Sequence, residues 1–166
     1  MLGREREVQK PYSILFVCLG NICRSPLAEG IFQALIDRDG LSDQFSVDSA
    51  GTGGWHVGEP PHRDSRRVAQ KNGISIDNQR ARKLSRADAN RFDLFVAMDQ
   101  QNRDDIFSLL GPSAKVVCLR EYDSLDADLD VPDPYFGGPE GFDEVFEIIL
   151  RSCTSLLSEL EGIVRK

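Results

Sequence analysis

The sequence predicts an α/β fold, a single three-layer domain in which a four-stranded parallel sheet carries helices on both faces. Three observations lead there. The chain has 166 residues, enough to close one substantial hydrophobic core and too few for two domains of ordinary size. Four short apolar runs have the length of buried parallel strands, and stretches of helical spacing alternate with them. Such alternation implies a parallel sheet with right-handed crossovers and ligands at the carboxyl ends of the strands.

In chain order, residues 12–18 predict a fully buried strand. SPLAEGIFQALIDRDG then places Leu27, Ile31, Leu35 and Ile36 at helical spacing and closes at Gly40. FSVDSAG predicts a second strand, and the Gly- and Pro-rich TGGWHVGEPP a loop. Residues 62–72 predict a helix stopped by Gly73, with His56 and His62 read as loop residues without a role. RFDLFVAMD is a third strand, QQNRDDIFSLLG a helix, and AKVVCL a fourth strand. Residues 121–138 form a long acidic loop, and the stretch from Pro139 onward predicts a long amphipathic helix.

Composition excludes several classes. The 40% hydrophobic and 28% charged content is ordinary for a globular protein, and apolar runs such as residues 14–19 are too short to span a bilayer. Residues 1–10 are polar with charges of both signs, unlike a secretory or transit peptide, so a mobile tail before a domain over residues 11–166 and a cytoplasmic location are expected. Cys18, Cys23, Cys118 and Cys153 are then expected as free thiols. A net charge of −7 argues against a nucleic-acid or acidic-membrane partner. It leaves room for an anionic substrate, because a phosphate site works through local amides and one or two cations.

The first strand runs into VCLGNICRSPLAEG. A cysteine where a strand meets a helix sits beneath the helix amino end, whose unpaired N–H groups favour a thiolate over a thiol. Gly20 and Asn21 are the loop residues best suited to left-handed conformations that turn amides inward around a phosphoryl group. Arg24 offers a planar fork for two phosphoryl oxygens, Ser25 a hydroxyl for the Cys18 sulfur, and Pro26 fits a first helical turn. A thiolate attacking phosphorus needs a proton donor for the leaving oxygen. DVPDPYFGG supplies Asp133 between two prolines, with Asp126, Asp128 and Asp130 nearby as like charges that favour its protonated form. Those three aspartates otherwise read as a solvated loop.

With VCLGNICRSPLAEG, DSAGTGGWHVGEPPHRDS, FVAMD and VPDPYFGG in this order, the chain resembles the low-molecular-weight protein tyrosine phosphatase family from Tyr12 to about Glu161. The resemblance implies a flavodoxin-like, phosphatase I-like fold and hydrolysis of phosphotyrosine and small aryl phosphates through a cysteinyl-phosphate. It implies Cys18 as nucleophile, Arg24 as phosphoryl clamp, Ser25 as thiolate partner and Asp133 as general acid and then base. Asn21 holds the loop in shape with Ser49 as its partner, while Leu19, Gly20, Ile22 and Cys23 complete the phosphate loop. Leu19, Ile22, Trp55, Tyr135 and Phe136 wall the phosphotyrosine ring, although such aromatics also serve as loop anchors or lids on a core. Expected partners are tyrosine-phosphorylated proteins and inorganic phosphate or oxyanion inhibitors, with no cofactor and no metal. The family often carries a histidine in a buried network with the residue here numbered Glu29, and this chain has Gln79 at that position.

Arsenate reductases and phosphoarginine phosphatases share the fold. The former relay oxidation to a closely spaced cysteine pair, which Cys118 and Cys153 are not. The latter usually have Thr and Phe where this chain has Ile22 and Tyr135. A non-catalytic phosphate-binding module would be expected to lack the nucleophile or the acid, and two cysteines five apart do not meet zinc spacing. Cys23, in the loop with Cys18, reads either as a small residue packing that loop or as a thiol that traps a Cys18 sulfenic acid as a disulfide, and the resemblance favours the second, redox-sensitive reading.

Overall fold

The computed structural model describes residues 10–125 and 128–164. Asp126 and nearly all of the tail expected over residues 1–10 lie outside them. Four parallel strands, β1 (Tyr12–Cys18), β2 (Phe45–Gly51), β3 (Leu94–Ala97) and β4 (Val116–Cys118), form one sheet in the order β2-β1-β3-β4. Helices α1 (Arg24–Arg38), α2 (Arg63–Lys71), α3 (Gln100–Leu110) and α4 (Pro139–Val164) cover it. Among the described residues no helix is long and apolar enough to cross a membrane.

The two faces follow from strand periodicity. Ile14, Phe16 and Cys18 of β1 point to the larger core, which is built with α1, α2 and α4 through Leu27, Ile31, Val68, Phe146 and Ile149. Leu15 and Val17 point to the smaller core beneath α3, with Phe95, Ala97 and Ile106. The central strand is therefore apolar at every position from Ile14 to Cys18, as a strand buried on both faces must be.

The third and fourth strands are shorter than the apolar runs predicted. Residues Arg86–Asn90 and Leu119–Tyr122 form 3-10 turns that apolar periodicity does not predict. Each begins with a capping box: Asp88 Oδ2 accepts from Ser85 N at 2.9 Å, and Glu121 Oε2 from Cys118 N at 2.6 Å. His62 is not a passive loop residue, since its ring caps α2 by accepting from Asp64 N at 3.0 Å and stacks on Phe142 at 4.8 Å. The acidic loop is likewise more than a solvated run. Asp130 Oδ1 accepts from Gln100 N at the start of α3 at 2.9 Å, and Asp128 Oδ1 accepts from Asp130 N at 3.0 Å.

Candidate active site

The strand order reverses at β1, whose neighbours β2 and β3 lie on opposite sides, and the crevice beyond its carboxyl end is where such sheets bind ligands. Residues 18–24 occupy that crevice. Thr52 N donates to Cys18 O and Gly53 N to Leu19 O, both at 2.9 Å, so the segment after β2 braces the loop after β1. This approach requires Gly51, where a Cβ would stand 2.8 Å from the Leu19 carbonyl. Asn21 takes the left-handed conformation with φ 57°, whereas Gly20, expected to share it, does not.

The loop closes over a cleft of about 170 Å³ lined by Cys18, Leu19, Gly20, Ile22, Cys23, Arg24, Trp55, His56, Asp133, Tyr135 and Phe136. Of the sequence-predicted residues, Asn21, Ser25 and Ser49 lie behind the loop instead. Trp55 and Phe136 are 73% and 94% exposed, so these aromatics stand out from the core as walls and are not packed into it. His56 is an addition. Its Nδ1 lies 2.7 Å from Glu59 Oε2, and the ring borders the cleft beside Tyr135. Among the described residues, the amides of Gly20, Ile22 and Cys23 donate to no protein acceptor, which leaves them for an anion.

Behind the loop a chain of hydrogen bonds runs from Arg82 through Asn21 to Ser25 and Ser49. Asn21 Oδ1 accepts from Arg82 N at 3.0 Å, which orients the amide. Its Nδ2 then donates to Ser49 Oγ at 3.0 Å and to Ser25 Oγ at 2.8 Å. Ser25 Oγ, which accepts from Asn21, lies 3.0 Å from Cys18 Sγ, and toward a thiolate at that position its hydroxyl is the donor. Asn21 N adds a second donor to the sulfur at 3.3 Å. Ser49 in turn donates to Glu29 Oε1 at 2.7 Å. Gln79 does not meet Glu29, because its Nε2 donates to Pro26 O at 3.1 Å. Burial pushes the Glu29 carboxyl up to about 7, with Asp48 adding to the rise against the pull of Ser49 and Arg82.

Arg24 is 3% exposed. Its Nη1 donates to Asp99 Oδ2 at 2.7 Å and to Val131 O at 3.0 Å, while Nη2 lies 3.6 Å from Asp133 Oδ2. Burial acts to lower its pKa, but the Cys18 sulfur, Asp99 and Asp133 outweigh it and hold the guanidinium above its ordinary value. Val131 N donates to Met98 O at 2.8 Å, which anchors the acidic loop over the sheet, and Tyr135 N donates to Asp133 Oδ1 at 3.1 Å. The Cys23 thiol, also in the loop, is pushed up to about 12, first by burial and then by Cys18 and Asp133.

Residues 13–166 match the family model described as low molecular weight phosphotyrosine protein phosphatase. The chain is 44% identical over 152 residues to the low molecular weight protein-tyrosine-phosphatase YfkJ of Bacillus subtilis, covering 90% of this chain and 96% of the relative. It superposes on the crystal structure of YfkJ with a TM-score of 0.87, at 40% identity over 95% of this chain and 98% of that one. It also matches the crystal structure of DARP, the Drosophila arginine phosphatase, with a TM-score of 0.80, 35% identity and coverage of 89% and 96%. The chain belongs to the low molecular weight phosphotyrosine protein phosphatase family.

Proposed function

We propose that the chain hydrolyses phosphotyrosine in proteins through a cysteinyl-phosphate, with residues 11–166 as its phosphatase domain. The carrying observation is that Asp133, far along the chain from the Cys18–Arg24 loop, joins Cys18 and Arg24 in one cleft whose floor is the thiol and whose walls are aromatic. In this reading the Cys18 thiolate attacks phosphorus while the bond to the tyrosyl oxygen breaks, and Asp133 gives that oxygen its proton. Water then attacks the cysteinyl-phosphate, Asp133 takes the water's proton, and the sulfur leaves as a thiolate steadied by Ser25 and Asn21. Arg24 and the loop amides hold the phosphoryl oxygens through both steps. Depth favours a long aryl phosphate over phosphoserine.

Inorganic phosphate and similar oxyanions compete for the same loop, and tyrosine-phosphorylated proteins are the partners. A cytoplasmic location fits the four unpaired cysteines. Cys18 is also the redox-sensitive group, with Cys23 as its resolving neighbour. An arsenate-reductase relay has less support, since Cys118 belongs to the core under α3 and Cys153 to the core on the other face of the sheet.

Steady-state hydrolysis of phosphotyrosine, phosphoserine and phosphoarginine side by side, with arsenate reduction as control, tests the reading. Phosphotyrosine turnover that disappears in Cys18→Ser is expected. Preferential hydrolysis of phosphoarginine would transfer the assignment to the chemistry named for the Drosophila relative.

A further inference from the structure

A second depression of about 420 Å³ adjoins the active-site cleft, and the two share Leu19 and Trp55 as a common ridge. Lys83, Leu84 and, from α3, Asp105 and Leu109 also line it. The Trp55 indole lies over Gly53, where a Cβ would collide with the ring. Lys83 is held at its backbone. It forms an isolated parallel bridge with Gly51, and the next amide, Leu84 N, donates to Gly51 O at 2.7 Å.

Charge singles out Lys83. Among the described residues lining the two depressions, Arg24 and Lys83 are the only arginine or lysine. Arg24 is met by Asp99 and Asp133, whereas Lys83 is exposed and makes no ion pair among the described residues. Asp105, the carboxylate of this groove, already accepts from Gln101 Nε2 at 3.0 Å. On a chain of net charge −7, an uncommitted cation beside the catalytic cleft is a local exception to a field that otherwise repels acidic polypeptides.

We propose that this groove receives the polypeptide flanking the phosphotyrosine, and that Lys83 selects an acidic side chain within about three residues of it, a reach of roughly 10 Å in an extended chain. The phosphotyrosine ring on the cleft side of Trp55 sends its backbone over the Leu19–Trp55 ridge. An adjoining apolar residue seats against Trp55, Leu84 and Leu109, and the acidic one meets the ammonium at the rim. The proposal rests on the phosphotyrosine reading above and names the substrate class within it.

The test uses phosphotyrosyl heptapeptides carrying Glu, Gln or Lys in turn at each of the three positions on either side. Each kcat/KM is divided by that of free phosphotyrosine for the same enzyme variant. The wild type is expected to favour Glu over Gln at one or more positions by roughly two- to fivefold, the scale of an exposed ion pair, and added salt should compress the ratio. Lys83→Gln should erase the preference, and Lys83→Glu should turn it toward Lys-bearing peptides. If wild type hydrolyses free phosphotyrosine and the peptides without regard to flanking charge, or if Lys83→Glu keeps the Glu preference, the subsite is wrong and the phosphotyrosine reading stands. If free phosphotyrosine and every peptide are left intact, the phosphotyrosine reading fails and takes the subsite with it.

Discussion

Arg24 Nη1 donates to Asp99 Oδ2 at 2.7 Å across 75 residues of sequence, and this bond aims the buried guanidinium at the cleft. Asp99 also caps α3, with Oδ1 accepting from Asn102 N at 2.7 Å, so the two roles have to be separated. Asp99→Asn keeps an oxygen for the cap and removes the charge that holds Arg24. We expect kcat/KM for phosphotyrosine to fall on the order of 10²-fold, because a small displacement of a positioning group is enough. Both variants should lose stability in urea titrations as the buried cation loses its closest charge, and Asp99→Ala should lose about 1 kcal/mol more with the cap of α3. Unchanged kinetics in the Asn variant would show that Val131 O alone positions Arg24.

Arg24→Lys should be nearly as damaging as Cys18→Ser despite the retained charge. A lysine supplies a point charge in place of the fork, and it cannot reach Asp99, Val131 O and a phosphoryl group together. Steady-state rates with phosphotyrosine measure this, and a mild loss would make Arg24 a packing residue.

Asp133→Asn is expected to lower kcat for phosphotyrosine by roughly 10²- to 10⁴-fold. Aryl phosphates with strongly acidic phenols should lose far less, since their leaving oxygen needs no proton. A plot of log kcat against leaving-group pKa for both enzymes decides the matter, and equal losses along the series would remove Asp133 from the acid role.

Peroxide should inactivate the enzyme, phosphate should slow the loss, and a thiol reductant should restore activity. Cys23→Ser should start active and then fail irreversibly. Little Cys23 thiolate exists at neutral pH with its thiol pushed up to about 12, so trapping of the Cys18 sulfenic acid should accelerate as pH rises. Mass spectrometry of the inactivated enzyme should find Cys18 joined to Cys23. Absence of that linkage, or equal recovery of the serine variant, would leave Cys23 as loop packing.

Glu29 sets a pH dependence of stability. Its carboxyl titrates near the ordinary 4.5 in the unfolded chain and near 7 in the folded one. Between these values the folded protein keeps a proton that the unfolded chain has released, so this contribution is full below about 4.5 and is lost as pH rises through 7. Glu29→Gln retains an acceptor for Ser49 Oγ and removes the titration. Urea midpoints across that interval should fall for wild type relative to the variant, and parallel curves would contradict the assignment.

Much of this architecture is legible in the chain because its signals are local. Tyr12–Cys18 and Phe45–Gly51 read as strands with their observed bounds, since their core positions are apolar or small and a Gly-containing loop succeeds each strand. The two 3-10 turns escape a reading of apolar periodicity, although Ser85 with Asp88 carries a capping signal in sequence; Cys118 with Glu121 does not, because cysteine is not a residue type that marks a cap. The role of His62 is hidden because its stacking partner, Phe142, belongs to another helix.

The site divides in the same way. Cys18, Arg24, Ser25 and the loop between them are set by a strand running into a helix within seven residues, which spacing and residue type alone express. Asp99 beside Arg24, Arg82 N on Asn21 and Glu29 under Ser49 are different, because the sheet order brings them together from separate segments. So is the exposure of Lys83 next to the cleft. Sequence determined which groups are the candidates for the chemistry, because reactivity resides in residue type and in local backbone geometry. Only tertiary structure decided which charges answer one another, because electrostatic pairing depends on distances of a few ångströms between residues that chain order keeps far apart.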